Sequence, residues 1–276
     1  MIDIKDRVPT YPGRVRLIPV AGQTNTYDMV RADEPVEPGT PINRALFQAF
    51  IDELNAVKQQ IDDKLFEISH RVTIKSLDRG SEFGLYENGI LVPFIKLSTG
   101  YKSTTEDCLV IRKNCIISDF LLNSGQTTYA DSRADTWLSN EYFSMLDTVT
   151  QNVIPDALVE ATSASFSGNT NIRRKIFLLS TFEYGFGSSG TGYNVSFFGS
   201  NASRIATLNG TPVNQWTREF YDNKGNGYYV STSGELKYIN ATTTAAGLRP
   251  AFLLPPGYEV VTGIPSAENV MATAEV

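Results

Sequence analysis

The run Lys175-Ile176-Phe177-Leu178-Leu179-Ser180 passes directly into Thr181-Phe182-Glu183-Tyr184-Gly185-Phe186-Gly187, and the fold class turns on that boundary. A short apolar run closed by turn residues reads as a strand rather than as a helix. The next sixty residues have another character. From 181 to 240, Gly, Ser, Thr, Asn and Tyr fill 35 of the 60 positions, and four basic residues balance four acidic ones. Little periodicity survives there, so the segment reads as irregular, glycine-punctuated loops. Loops of that length in a domain are usually functional or disordered. Phe182, Tyr184, Phe186, Tyr193, Phe197, Phe198, Trp216, Phe220, Tyr221, Tyr228, Tyr229 and Tyr238 argue against disorder.

Working outward, strand candidates lie at 72–77, 90–97 and 108–117, and a final one at Gly247-Leu248-Arg249-Pro250-Ala251-Phe252-Leu253-Leu254-Pro255. Between them, 131–147 reads as a helix with Trp137, Leu138, Tyr142, Phe143 and Leu146 on one face. Further upstream, Thr40 and Pro41 suit the start of a helix. Apolar residues then fall at Phe47, Phe50, Leu54, Val57, Ile61, Leu65 and Ile68, a spacing close to a heptad seam. Two readings stay open: an amphipathic helix packed on its own domain, or a short oligomerising helix. The second is favoured because a lone helix of this length is weakly stable in water. Residues 1–40 are rich in Pro, Gly and charge and read as an extended attachment arm with one short strand at Arg14-Val15-Arg16-Leu17-Ile18-Pro19-Val20. The expected organisation is therefore α+β: an arm at 1–40, a helix at 41–71, a ligand-binding domain at 72–265 and a polar tail at 266–276.

Several function classes are disfavoured. The net charge is −6, and no basic run is present to track a phosphate backbone, so nucleic acid is not an expected partner. No run approaches the ~18 apolar residues of a membrane span. The first residues, Met1-Ile2-Asp3-Ile4-Lys5-Asp6, do not read as a secretory leader. Cys108 and Cys115 do not form a metal-ligand pattern and read as buried free thiols. His70, the only histidine, has no nucleophile motif beside it, so no catalytic residue, metal or cofactor is expected. Asp222-Asn223-Lys224-Gly225-Asn226-Gly227 reads as a glycine turn, and Gly185-Phe186-Gly187-Ser188-Ser189-Gly190-Thr191-Gly192 as a flexible loop.

Three segments carry a resemblance. They are Tyr129-Ala130-Asp131-Ser132 running into Trp137-Leu138 and Tyr142-Phe143; Lys175 through Gly185; and Trp216-Thr217-Arg218 followed by Gly247-Leu248-Arg249-Pro250-Ala251. Together they resemble bacterial and phage domains of the C-type-lectin fold related to the formylglycine-generating-enzyme scaffold. Asp135 stands where that family usually has Arg, and Ser139 where it usually has Asn. The enzymatic members use C-terminal cysteines, and this chain has none after Cys115. The segments Arg7-Val8-Pro9-Thr10-Tyr11-Pro12-Gly13-Arg14-Val15 and Asn43-Arg44-Ala45-Leu46-Phe47 resemble the start of tail proteins from phages of gut Firmicutes.

The resemblance implies a virion protein of a phage tail, made in the host cytoplasm. A homotrimer would form through the helix, the arm would contact other tail proteins, and the C-terminal face would bind a bacterial surface glycan or protein. Some members of the fold are diversified by retroelements, and the Asn- and Tyr-rich stretch fits that by analogy. Tyr, Ser, Gly and Asn are favoured in recognition loops because Tyr gives rigid amphipathic contact and Asn adaptable hydrogen bonds. The expected ligand-binding residues are Tyr193, Asn194, Asn201, Asn214, Tyr221, Asn223, Asn226, Tyr228 and Tyr229. Trp137, Trp216, Arg218 and Arg249 are expected to be structural. Two other readings are a structural baseplate or capsid-decoration component and an enzyme acting on envelope polysaccharide.

Overall fold

The computed structural model describes residues 8–9, 15–31, 35–37, 44–102, 105–123, 128–162, 169–187, 195–222 and 224–264. About 24% of the chain is helix and 41% strand, so the protein is mixed α+β and mostly sheet. It divides into two units, residues 1–66 and 67–276. The expected helix cap at Thr40 and Pro41 and the tail 266–276 lie outside the described residues.

In the first unit, β1 (Val8–Pro9) pairs with β4 (Pro35–Glu37), and β2 (Val15–Pro19) pairs with β3 (Tyr27–Arg31), both antiparallel. The single strand expected in the arm thus has a hairpin partner; Tyr27-Asp28-Met29-Val30-Arg31 supplies the same alternating pattern. Helix α1 (Arg44–Ser69) comes next. Gln48 to Asp52, Lys58 to Asp62 and Gln59 to Asp63 bond one turn apart along its polar face. All seven expected seam residues are 46–69% exposed in the single chain.

The second unit is built on a seven-stranded, fully antiparallel sheet. Its strands are β5 (Arg71–Thr73), β6 (Glu82–Glu87), β7 (Ile90–Tyr101), β8 (Thr105–Arg112), β12 (Ile176–Phe177), β19 (Ala251–Leu254) and β20 (Glu259–Val261). The order is β12-β19-β8-β7-β6-β20-β5. A two-stranded ladder, β10 (Ala157–Thr162) with β11 (Asn169–Arg174), stands beside it in the chain. Another hairpin joins β13 (Ala206–Leu208) and β14 (Thr211–Val213) through Asn209 and Gly210, both at positive φ. A five-stranded sheet completes the unit, ordered β17-β16-β15-β18-β9. Its members are β9 (Ile117–Leu121), β15 (Gln215–Phe220), β16 (Asn226–Val230), β17 (Leu236–Asn240) and β18 (Ala245–Leu248).

Several expectations need correction. The strand expected at 72–77 ends at Thr73, that at 175–180 is only Ile176–Phe177, and that at 247–255 is two strands, β18 and β19, in different sheets because Arg249 and Pro250 turn the chain between them. Residues 108–117 are two strands, β8 and β9, because Arg112 to Ile116 turn the chain from one sheet to the other. The helix expected at 131–147 is broken into α2 (Arg133–Trp137), a π turn (Leu138–Tyr142) and α3 (Phe143–Met145), with α4 (Thr148–Val153) beyond. Asp147 ends the first run and caps α4, its carboxylate accepting from the Thr150 amide. Last, 181–240 is not a run of loops. It holds α5 (Asn201–Arg204) and five strands, each of three to six residues, too short for periodicity to reveal.

Packing follows from these elements. Phe83, Phe94, Val110, Trp216, Leu248 and Phe252 are among the buried residues of one cluster, while Leu97, Leu109, Phe177, Leu179, Tyr184 and Leu253 belong to a second. The chain crosses between sheets at Leu248-Arg249-Pro250-Ala251. Gly247 is fixed by space: a Cβ there would lie 2.8 Å from Cys115 Sγ and 2.9 Å from the Ile117 carbonyl oxygen. Arg249 is buried, its Nε donating to the Arg112 carbonyl at 2.8 Å. Trp216 is fully buried and its indole donates to the Phe120 carbonyl at 2.7 Å. Trp137 stacks on Tyr142 and meets Phe120 at a tilt of 53°. Asp135 is buried and receives Arg174 in a two-pronged pair, with Nε to Oδ1 at 2.8 Å. A carboxylate is accommodated at this position because the second strand of the neighbouring ladder brings it a guanidinium.

Candidate functional site

Strand alternation separates the residues of the β15–β16–β17 hairpins into two faces. Trp216 pairs with Tyr229 across the ladder, and the two rings meet edge to face at 6.2 Å. Gly227, two residues earlier on the same face, leaves room for Leu122 and Trp216. Tyr228 points the other way. Its cross-strand partner is Tyr238, and Tyr221 lies over both. Tyr221 and Tyr238 stack with centroids 3.8 Å apart and planes 10° from parallel, while Tyr221 meets Tyr228 edge to face at 5.4 Å. Tyr238 is 52% and Tyr221 36% exposed.

The result is a ledge of three phenols on the β15–β16–β17 meander, Tyr221 and Tyr238 exposed and Tyr228 half-buried beneath them. Aromatic contacts of this geometry are worth about 0.5–1.5 kcal/mol each, so the rings are pre-positioned rather than gathered by a ligand. The turn beneath is closed by Asp222, whose carboxylate accepts from the Lys224 and Asn226 amides and from the Asn226 side chain at 2.8 Å. Those bonds hold the Asp222 carboxyl below its usual range against the opposing effect of desolvation. The neighbouring Tyr238 phenol raises the pKa of Tyr221, and burial raises that of Tyr228. At neutral pH both rings keep their protons and can donate as well as stack.

The expected ligand-binding residues fall into different places. Tyr221 and Tyr228 come together on the ledge. Tyr229 faces the core. Asn226 closes the Asp222 turn. Asn214 braces two loops, its side-chain oxygen accepting from the Thr232 amide and its carbonyl from Gly247. Asn201 opens α5 and accepts from Arg204 at 2.8 Å. Tyr193, Asn194 and Asn223 lie outside the described residues. Tyr238 completes the ledge and was not among the expected set. Its signal lies in Leu236-Lys237-Tyr238-Ile239, where alternation past the Ser231-Thr232-Ser233-Gly234 turn places it opposite Tyr228.

β15, the strand that leads to Tyr221, also carries one half of a buried ion pair. Arg218 and Glu183 are both fully buried. Arg218 Nη1 and Nη2 both donate to the Glu183 carboxylate, while Nη1 also reaches the Leu178 carbonyl at 3.0 Å and Nε the Glu160 carbonyl at 2.8 Å. Tyr101 and the Ser180 amide donate to Glu183 at 2.6 and 2.9 Å. Burial alone would raise the Glu183 pKa; Arg218 and these donors outweigh it and hold the carboxyl below its usual value. This network joins the segment that follows β12 to β15 and does not reach solvent. Among the described residues no cluster of three His, Cys, Asp or Glu side chains could hold a metal ion.

Residues 105–256 match the family described as Domain of unknown function (DUF6273). The match covers more than half of the chain. The chain belongs to the DUF6273 family. The DUF6273 region begins at β8 and ends just beyond β19, so the ledge, the Arg218–Glu183 pair and the Gly247–Ala251 crossing all lie inside it. No curated protein and no solved structure matches the chain.

Proposed function

We propose that this protein is a phage tail receptor-binding protein whose second unit is a C-type-lectin-like domain, and that the Tyr221–Tyr228–Tyr238 ledge binds a bacterial surface glycan or protein. The observation that carries the reading is the ledge. Two exposed tyrosines, Tyr221 and Tyr238, packed on a half-buried third, Tyr228, are costly to leave in water and offer apolar ring faces beside phenol donors. That combination suits sugar rings and protein side chains alike. The lectin-like assignment is supported by the sequence segments that begin at Tyr129, Lys175 and Trp216. It is also supported by the antiparallel pairing of the unit's first strand, β5, with its last, β20.

The exposed seam of α1 supports assembly. Phe47, Phe50, Leu54, Val57, Ile61, Leu65 and Ile68 form a stripe that three copies would bury together, each large apolar side chain contributing about 1.5–3 kcal/mol on full burial. A trimer would present three ledges and raise the avidity for a repetitive cell surface. The N-terminal hairpins are then the attachment segment toward other tail proteins.

The test is binding of labelled full-length protein to cells of candidate host bacteria. The comparison variant is Tyr221→Ala/Tyr228→Ala/Tyr238→Ala, with circular dichroism confirming that it is folded. Saturable binding of the wild type that is lost in the folded variant is the expected result. Equal binding by both would remove the ledge from recognition.

A further inference from the structure

Away from the ledge, a polar hollow of about 320 Å3 opens between the turn after β5, the middle of β7 and the segment before α5. Its walls include Lys75, Asp78, Arg79, Lys96, Thr99 and Ser196. Lys96 is the unusual member. It is 2% exposed, and its ammonium donates to the carbonyls of Lys75 at 3.0 Å and Leu77 at 2.5 Å. An ammonium carries three protons, so one remains unassigned. Among the described residues no carboxylate makes an ion pair with it. Buried charges are ordinarily paired, because burying an isolated charge is costly. The other charges nearby do not supply the missing anion. Lys75 is matched by Glu106 at 2.7 Å, and Arg79 donates through Nη1 to the Ser196 hydroxyl. Cys108, beside Thr99, has its thiol pKa raised by burial and stays neutral. Asp78 is the single carboxylate among the described wall residues, set against three cations.

We propose that this hollow is a binding subsite for a tetrahedral oxyanion, a phosphate or sulfate group, with Lys96 as the buried anchor and Arg79 as the exposed clamp. The donors come from three separate stretches of chain and surround a volume, which suits an anion with oxygens in several directions. A flat carboxylate would be served by one guanidinium alone. The subsite is independent of the tyrosine ledge, and most of its residues lie upstream of the DUF6273 match. An esterified phosphate or sulfate on a polymer would give the protein a second, charge-selective point of contact.

The experiment is calorimetric titration of the full-length protein at constant low ionic strength, with inorganic phosphate, sulfate and acetate as separate ligands. Wild type is compared with Arg79→Gln, Ser196→Ala, Lys96→Met and the triple tyrosine variant. Saturable phosphate or sulfate binding, near one site per chain, is expected. Arg79→Gln should raise Kd about tenfold or more, the usual scale for one charge-assisted hydrogen bond, and the tyrosine variant should bind as wild type does. If Lys96→Met does not fold, Arg79→Gln and Ser196→Ala carry the test. The proposal is overturned by absent saturable binding of both tetrahedral ions, by an unchanged Kd in Arg79→Gln, or by acetate binding as tightly as phosphate. Because the tyrosine variant is titrated separately, a failed ledge and a failed oxyanion subsite give different results.

Discussion

Replacing Arg218 with Met should expose how much of the domain rests on one buried charge pair. Methionine keeps most of the apolar stem but removes the guanidinium. Glu183 then loses both guanidinium bonds and keeps those from the Tyr101 hydroxyl and the Ser180 amide, and the carbonyls of Leu178 and Glu160 lose the guanidinium as a donor. Breaking a fully buried pair by removing one partner costs about 3–5 kcal/mol. For a unit of this size, 1 kcal/mol moves Tm by about 2–4 °C, so a fall of about 6–20 °C is expected. The pH dependence has a definite sign. In the wild type the Glu183 pKa is below its unfolded value. Its stabilising contribution is therefore complete above the unfolded carboxylate range and is lost as pH falls through the folded value. In Arg218→Met, burial would push the same carboxyl upward, and protonating it relieves the unpaired charge. The gap between wild type and variant should thus be widest near neutrality and narrow in acid. Urea unfolding followed by near-ultraviolet circular dichroism at neutral and mildly acidic pH measures both. Adding Glu183→Gln to Arg218→Met should recover part of the loss. A loss below about 1 kcal/mol at neutrality, set against the magnitude expected for a buried pair, or one that grows in acid, would refute the reasoning.

Gly234 has φ +78°, and a Cβ there would sit 2.0 Å from the Asn201 carbonyl oxygen. Gly234→Ala should therefore cost more than the about 1–3 kcal/mol of left-handed backbone strain alone, read from urea midpoints. If α1 assembles as proposed, Leu54→Asp/Ile61→Asp should leave the second unit folded and lower the mass in sedimentation equilibrium from that of a trimer to that of a monomer, since both side chains lie on the exposed seam; a mass equal to the wild type's would remove the seam from assembly. Burial pushes the Cys115 thiol up to about 11 and raises Cys108 as well. Neither should react with a thiol reagent near neutral pH until urea unfolds the chain, and rapid native labelling would contradict that burial.

Long, repetitive signals were legible in the sequence. The spacing from Phe47 to Ile68 announces α1 because one helix face repeats for about six turns. The apolar run 90–97 and the first half of 108–117 locate the central sheet, while the end of the second run belongs to the other sheet. The hidden part is physically of three kinds. The strands within 181–240 are only three to six residues long, so their alternation is swamped by turn residues, and Tyr238 went unrecognised with them. The asparagines there looked like free recognition groups. Asn201 and Asn226 bond locally, which is what short amide side chains do in turns, and Asn214 reaches across to the Thr232 amide. The polar hollow joins Lys75, Lys96 and Ser196 from distant parts of the sequence, and no local pattern links them.

The edge position of β5 has a mechanical consequence. It is held to β20 by three residue pairs, Arg71 to Val261, Val72 to Val260 and Thr73 to Glu259, with the amide and hydroxyl of Thr262 both bonded to the His70 carbonyl. Tension drawn along α1 would meet that short ladder, together with the bond from the Tyr86 hydroxyl to the Glu67 carboxylate, before it met the interior of the sheet. β5 can peel away while β6, β7, β8 and β19 stay closed, so the joint would lengthen under load by a few residues and spare the tyrosines from distortion.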